Sequence, residues 1–520
     1  MSCGHMFDRA KKKGRGGKFA VTLVLGAAIT AQAADVSLVE AAKNQDQSRV
    51  LALVSQRADV NGRSSDGSTA LLWAAHWNDG KAAESLLRSG ADPNIANDFR
   101  MTPLSQACTN GNGALVRLLL SKGADPNARI ATGETPLMTC AMSGSLEAVQ
   151  ALIGRDADVN AKEPVADQTA LMWAAAERHP AVVKTLIEAK ADLRARTRNG
   201  FTVLHFAARE GDEGIVKLLL AAGMDVNVRT QPAESAKPQA TPAARSGKGN
   251  SQTTGFTPLL IATVRSKVAL ALFLLDHGAD PDIADAGFTP LHWAVTTWEN
   301  GSSNPVYGFE DAMSGIPDRG EKMALVKALL AHGTDANVRM KRRPPVGGGY
   351  TDVNGATAFL LASSVDDIEM MQVLLAAGAD PKLVTASKTN ALMAATGLNH
   401  LVGDNPVTEE QALATVRFLL ELGLDPKAST TFGENALFSP AYRGWNRLLE
   451  QLIDLGVEVN AVSRAGITPW LAASGQGDRL GGVLYNKDGA ELLLKRGADQ
   501  KLGHPCLAQN KCQAEVDEKQ

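Results

Sequence analysis

At 520 residues the chain exceeds one ordinary domain, so it holds either several domains or a repeat array. Its composition, 44% hydrophobic and 21% charged, excludes disorder over the whole length, and aromatics at only 5% favour helices packed through small residues over a β-sandwich core. A formal charge of −3 gives no electrostatic reason to favour nucleic acid or an anionic membrane.

The first element is a targeting segment. Lys11, Lys12, Lys13, Arg15 and Lys18 precede the apolar stretch "FAVTLVLGAAIT" (Phe19–Thr30) and the small residues "AQA" (Ala31–Ala33). This order reads as a cleavable export signal, with Ala34 as the mature start. The apolar run is too short for a stable span, so no membrane span is expected after cleavage. Loss of residues 1–33 removes six basic residues and one acidic residue and moves the formal charge from −3 to −8. In an oxidising compartment Cys506 and Cys512, in "CLAQNKC", are expected to close a disulfide near the C-terminus.

From Val36 onward one pattern recurs. "GADPN" stands at Gly90–Asn94 and again 33 residues later at Gly123–Asn127, and variants of it begin at Gly278 and Gly378. Its aspartates, Asp92, Asp125 and Asp280, are either ligands built many times over or punctuation between helices. The flanking residues favour punctuation. Thr102 and Thr135 are N-caps, each followed by Pro at the first helical position. Val116, Leu119 and Leu120 are spaced as one face of a helix. Gly123 suits a left-handed helix end, and Asp125, Pro126 and Asn127 are turn formers. About twelve such copies are legible. The expected organisation is an export signal over 1–33, repeats over 34–227, and a flexible linker or extended turn over 228–254. Repeats follow over 255–337, then an extended turn over 338–353, repeats over 354–500 and a tail over 501–520.

Period and residue types together resemble the ankyrin repeat, whose signature includes T-P-L-H-x-A; the complete T-P-L-H occurs at Thr289–His292, and "TVLH" ends at His205. Among ankyrin proteins the chain looks like exported bacterial members with interrupted later repeats. The resemblance implies an all-α solenoid of helix-turn-helix repeats, and a structural role for His205 and His292, which hydrogen-bond the start of their own repeats. It also implies a concave groove reached by residues before the capping Thr and just after the inner Ala pair. The groove candidates are Phe201, Phe256 and Phe288, then His76, Trp77, Arg209, Arg265, Tyr442 and Arg443. Aromatic area flanked by Arg suits protein binding. Arg57, Asp156 and Lys190 replace the helix-ending Gly, so their turns are expected to be looser or differently shaped.

Interruptions are expected between the helices of a repeat at Trp298–Lys322, Leu398–Thr408 and Gly475–Tyr485, with Trp298, Tyr307 and Phe309 in the first. The Lys341, Arg342, Arg343 cluster lies in the extended turn. Cys108 and Cys140 read as buried small hydrophobes. No hydrolase, zinc-protease, P-loop or dinucleotide motif is present, and the histidines lack metal spacing. The reading is a monomeric, non-enzymatic scaffold without cofactor that binds an unidentified protein. The alternatives are an enzyme or redox accessory using the insertions and the Cys506/Cys512 tail, or a structural spacer.

Overall fold

The computed structural model describes residues 37–231, 254–296, 316–344, 352–398, 407–475 and 485–503. Helices follow one another in pairs. The first are α1 (37–43), α2 (Gln47–Ser55), α3 (Ala70–His76), α4 (Gly80–Arg88), α5 (Pro103–Thr109) and α6 (Gly113–Ser121). Next come α7 (Pro136–Met142), α8 (Leu146–Ile153), α9 (Ala170–Ala176), α10 (Pro180–Glu188), α11 (Val203–Glu210) and α12 (Glu213–Ala221). After the linker lie α13 (Pro258–Val264), α14 (Val268–Asp276), α15 (Pro290–Ala294), α16 (Arg319–Ala331), α17 (Ala358–Ser363) and α18 (Ile368–Ala376). The last six are α19 (Ala391–Ala395), α20 (Glu409–Glu421), α21 (Phe438–Arg443), α22 (Asn446–Asp454), α23 (Pro469–Ala473) and α24 (Lys487–Lys495). Among the described residues no β-strand forms; two isolated antiparallel bridges, Arg63 with Thr69 and Ser429 with Asn435, are the only sheet-like pairing. The fold is an all-α solenoid.

Contacts divide the chain into two compact units. One holds the residues up to Pro136 together with Gln150–Ala157, the other Leu137–Val149 and everything from Asp158 onward. In the first, α3 packs on α5 and α2 on α4; in the second, inner helices such as α9, α11 and α13 stack in sequence, as do outer helices such as α20, α22 and α24.

One pair shows why the sequence folds this way. The Thr102 side chain accepts from the Ser105 N–H at 3.1 Å, and Pro103 fills the first helical position, where no N–H is required. On α6, Asn112 caps the Leu115 N–H at 3.0 Å, and Leu115, Val116, Leu119 and Leu120 are buried. The helix ends at Gly123 (φ 88°), where the Ala124 N–H turns back to the Leu119 carbonyl. Arg57, Asp156 and Lys190, expected to loosen their turns, hold the same left-handed shape with φ of 61°, 62° and 66°. The same return bond closes each turn, the Ala58, Ala157 and Ala191 N–H groups donating to the Leu53, Leu152 and Leu186 carbonyls, and holds the left-handed backbone against its strain.

The aspartates of the pentapeptide are punctuation. Asp92 and Asp125 each accept from the backbone N–H two residues on, at 2.9 Å. The asparagines go further. Asn94 donates to the Gly123 carbonyl (2.9 Å) and accepts from the Asp125 N–H (2.7 Å), tying its turn to the next. Asn227 does the same across the long linker, to Gly278 and Asp280. Asn337 and Asn460 repeat the tie further on.

Two outer helices, α16 and α20, run to 13 residues against nine for α18 and α22. Asp318 caps α16 by accepting from the Glu321 N–H, so Lys322 belongs to a helix and not to the preceding insertion as expected. The extra turn reaches the neighbouring pair. Arg319 donates to both oxygens of Asp367, the N-cap of α18, at 2.6 and 3.0 Å, and to Glu369 at 2.7 Å. Glu409, on the extra turn of α20, accepts from the Arg447 and Leu448 N–H groups at the start of α22, whose own N-cap Trp445 makes no side-chain cap.

Candidate protein-binding surface

His205 and His292 are wholly buried and structural, as the T-x-x-H pattern implied. The Thr202 N–H donates to His205 Nδ1 at 3.0 Å, and Nε2 donates to the Phe256 carbonyl at 3.1 Å. His292 bridges Thr289 and the Val338 carbonyl in the same way, at 3.1 and 2.9 Å. Burial lowers both pKa values to about 4, so the rings are neutral, with one acceptor and one donor nitrogen as this bonding requires. Each ring thereby links its own repeat to the turn of the next.

The aromatic stripe does not form the expected open surface. Phe256 and Phe288 are 0% and 1% exposed and meet edge-to-face at 5.9 Å, with Phe288 also against Trp293. They are packing residues, because the position before the capping Thr points between repeats here. Phe201 alone stays half-buried, edge-on to His205 at 5.7 Å.

The residues that follow the inner helices are more open. In the first unit, Trp77 is 42% exposed, its indole N–H donating to the Lys43 carbonyl at 3.1 Å. The ring stacks on Trp73 at 6.5 Å and stands edge-on to His76 at 4.5 Å. Beside it lies a groove of about 680 Å³ lined by Gln45, Gln47, Asn78, Lys81 and Glu84 among others. In the second unit, the half-buried Arg209 lies over the Phe206 ring at 5.1 Å and donates to Glu210 at 2.7 Å. Arg265 is also half-buried at the end of α13. Arg443 donates to the Ser439 hydroxyl at 3.0 Å, with its guanidinium 5.2 Å from the Trp445 ring and 5.8 Å from that of Tyr442. Arg209 and Arg443 are held in place by these neighbours, which lowers the entropy lost when a partner binds.

Sequence matching decides the family. Models of the ankyrin repeat match over residues 38–130, 78–163 and 137–230, and again over 254–286. The chain carries ankyrin repeats. Ankyrin repeats generally mediate protein–protein interaction, and ankyrin-repeat proteins are typically non-enzymatic scaffolds.

Further expectations meet this ankyrin frame differently. Cys108 and Cys140 are disulfide-bonded, not free buried thiols; both are fully buried. Their spacing suggested only packing, because the two cysteines sit one register apart in their repeats. Cys506, Cys512, Trp298, Tyr307 and Phe309 lie outside the described residues. Within the basic cluster, Arg342 is committed to backbone, donating to the Ala286 carbonyl at 2.7 Å and to that of Thr254 at 3.3 Å. Sequence reasoning missed Phe99, Val165, Phe432 and Val462, which are exposed on the turns. The available signal was an apolar residue at the tip of a turn otherwise built from polar residues. Among the described residues no three His, Cys, Asp or Glu side chains are placed to hold a metal, and no helix is long and apolar enough to cross a membrane.

Proposed function

We propose that this chain is an exported, non-catalytic scaffold that holds a partner protein against the ends of its inner helices. One observation carries the reading: Trp77, a large aromatic fixed by a hydrogen bond and two ring contacts, is nevertheless open to solvent beside a groove. A rigid, partly exposed Trp is the residue type that dominates binding energy when a partner covers it. Arg209 and Arg265, and separately Tyr442 and Arg443, offer further donors and ring faces in the other unit. Phe256 and Phe288 are not part of it.

Export is supported by the basic and apolar N-terminal sequence ending in "AQA", and by the disulfide-bonded state of Cys108 and Cys140, which suits an oxidising compartment. The test is quantitative affinity capture from the exported fraction with full-length protein. Trp77→Ala is expected to weaken retention of a saturable partner by at least roughly 30-fold, the scale of a hot-spot truncation, with circular dichroism unchanged. Undiminished retention overturns the surface. Mass spectrometry of the exported chain that finds residues 1–33 still attached overturns the cleavage.

A further inference from the structure

Asp366 occupies the turn between α17 and α18 with a left-handed backbone, φ 54°. Glycine holds the same place in the turns at Gly111, Gly144, Gly211 and Gly444. Both carboxylate oxygens of Asp366 are closed off from solvent, and no donor, the nearby Thr415 hydroxyl included, reaches them with ordinary hydrogen-bond geometry. Thr415 Oγ1 on α20 and Nη2 of Arg443 at the end of α21 are among the other buried polar atoms in that condition. Three successive helix pairs thus contribute unsatisfied polar groups. Gly397, after α19, makes room for this: a Cβ there would lie 2.9 Å from both Arg443 Nε and Ser439 Oγ. The next residue, Asp367, has the opposite fate. Burial raises its pKa, but hydrogen bonds from Arg319 and the Met370 N–H outweigh burial and keep it ionised below the ordinary value. A carboxylate shut away without donors is tolerated only when neutral.

We propose that Asp366 is a proton-operated latch that keeps the α17–α18, α19–α20 and α21–α22 pairs closed on one another while its carboxyl is neutral and releases them when it ionises. Burial lifts its pKa to about 8, against weaker opposing pulls from the Thr415 hydroxyl and the Arg443 charge. The groups that face it are Thr415 from α20 and Arg443 from α21. Asp367, in its own turn, is engaged by Arg319 of α16, with Lys322 of α16 also near Asp367. In the opened chain the carboxyl ionises near the ordinary 3.8. The closed state is therefore most favoured at low pH, loses ground from about pH 4 upward, and stops losing it above about 8. Across that window opening grows about tenfold per pH unit.

Hydrogen exchange by mass spectrometry on the full chain, at pH 5.5 to 8.5 and corrected for intrinsic exchange rates, tests this. Peptides covering 358–376 and 436–454 are compared in wild type, Asp366→Asn and Asp366→Gly. The glycine variant matches the other turns and keeps the experiment decisive if the asparagine variant folds poorly. Below about pH 8, wild type is expected to open about tenfold more per unit of pH than either variant. Equal pH dependence in wild type and Asp366→Gly overturns the latch, whatever partner the protein binds.

Discussion

The amide of Asn94 satisfies one carbonyl and one N–H of the following turn, so its loss leaves two backbone groups to water. Both groups are exposed, and Asn94→Ala is therefore expected to lower stability by only about 1 kcal/mol, measured by urea unfolding. At Asp282 an acid stands where this Asn belongs. Its carboxylate accepts from the Asp335 N–H at 3.2 Å but has no amide to donate, and Asp280 and Asp335 repel it. Burial first, then those two charges, raises its pKa. A carboxyl raised on folding favours the fold while protonated and weakens it as pH rises past the ordinary carboxylate value. Asp282→Asn should raise the melting temperature at pH 7 and leave it nearly unchanged at pH 3; no gain at pH 7 would refute this account. Residue roles of this kind were legible in part. The Thr caps follow from local chemistry, and the bond of each histidine to the start of its own repeat followed from the ankyrin resemblance. The burial of Phe256 and Phe288 depends on what the neighbouring repeat places against them, which no single-repeat pattern contains.

Element lengths reveal what the 33-residue period conceals. The helices α16 and α20 are about a turn longer than α18 and α22, and that turn reaches the start of the next outer helix. Glu409 performs for α22 what Asp79, Asn112 and Asp212 perform for their own helices. Its carboxylate also sits at the positive end of the α22 dipole. Glu409→Ala is expected to cost about 1 kcal/mol and to speed hydrogen exchange in 446–454, leaving the inner helix α21 unchanged. Protection lost equally in both helices would show that the contact is not a cap. The sequence hid this because "RGEK" and "TEEQ" read as polar loop, and their helical state is decided by Asp318 and Thr408, caps without an apolar repeat behind them.

For the whole molecule, family and fold were readable because caps, small inner residues and turn formers recur together. The binding surface was less so, since exposure belongs to the stacked array. The asparagine tie is also unevenly distributed. Arg194, Lys382 and Lys427 stand at its position. At the Arg194 joint an arginine bridges instead, Arg196 reaching the Gly200 and Arg229 carbonyls, while Arg339 reaches those of Gly355 and Val384 beside the Asn337 tie. Stability in a repeat array is a sum over such joints, so it varies along the chain.

The contacts that Arg319 and Glu409 make with the next outer helix bear on how this array can grow or shrink. A single repeat cut from between α16 and α22 would leave a short outer helix without its lender, or a long one without a recipient. Gain or loss two at a time keeps every lender beside its recipient, so here the heritable module is the doublet.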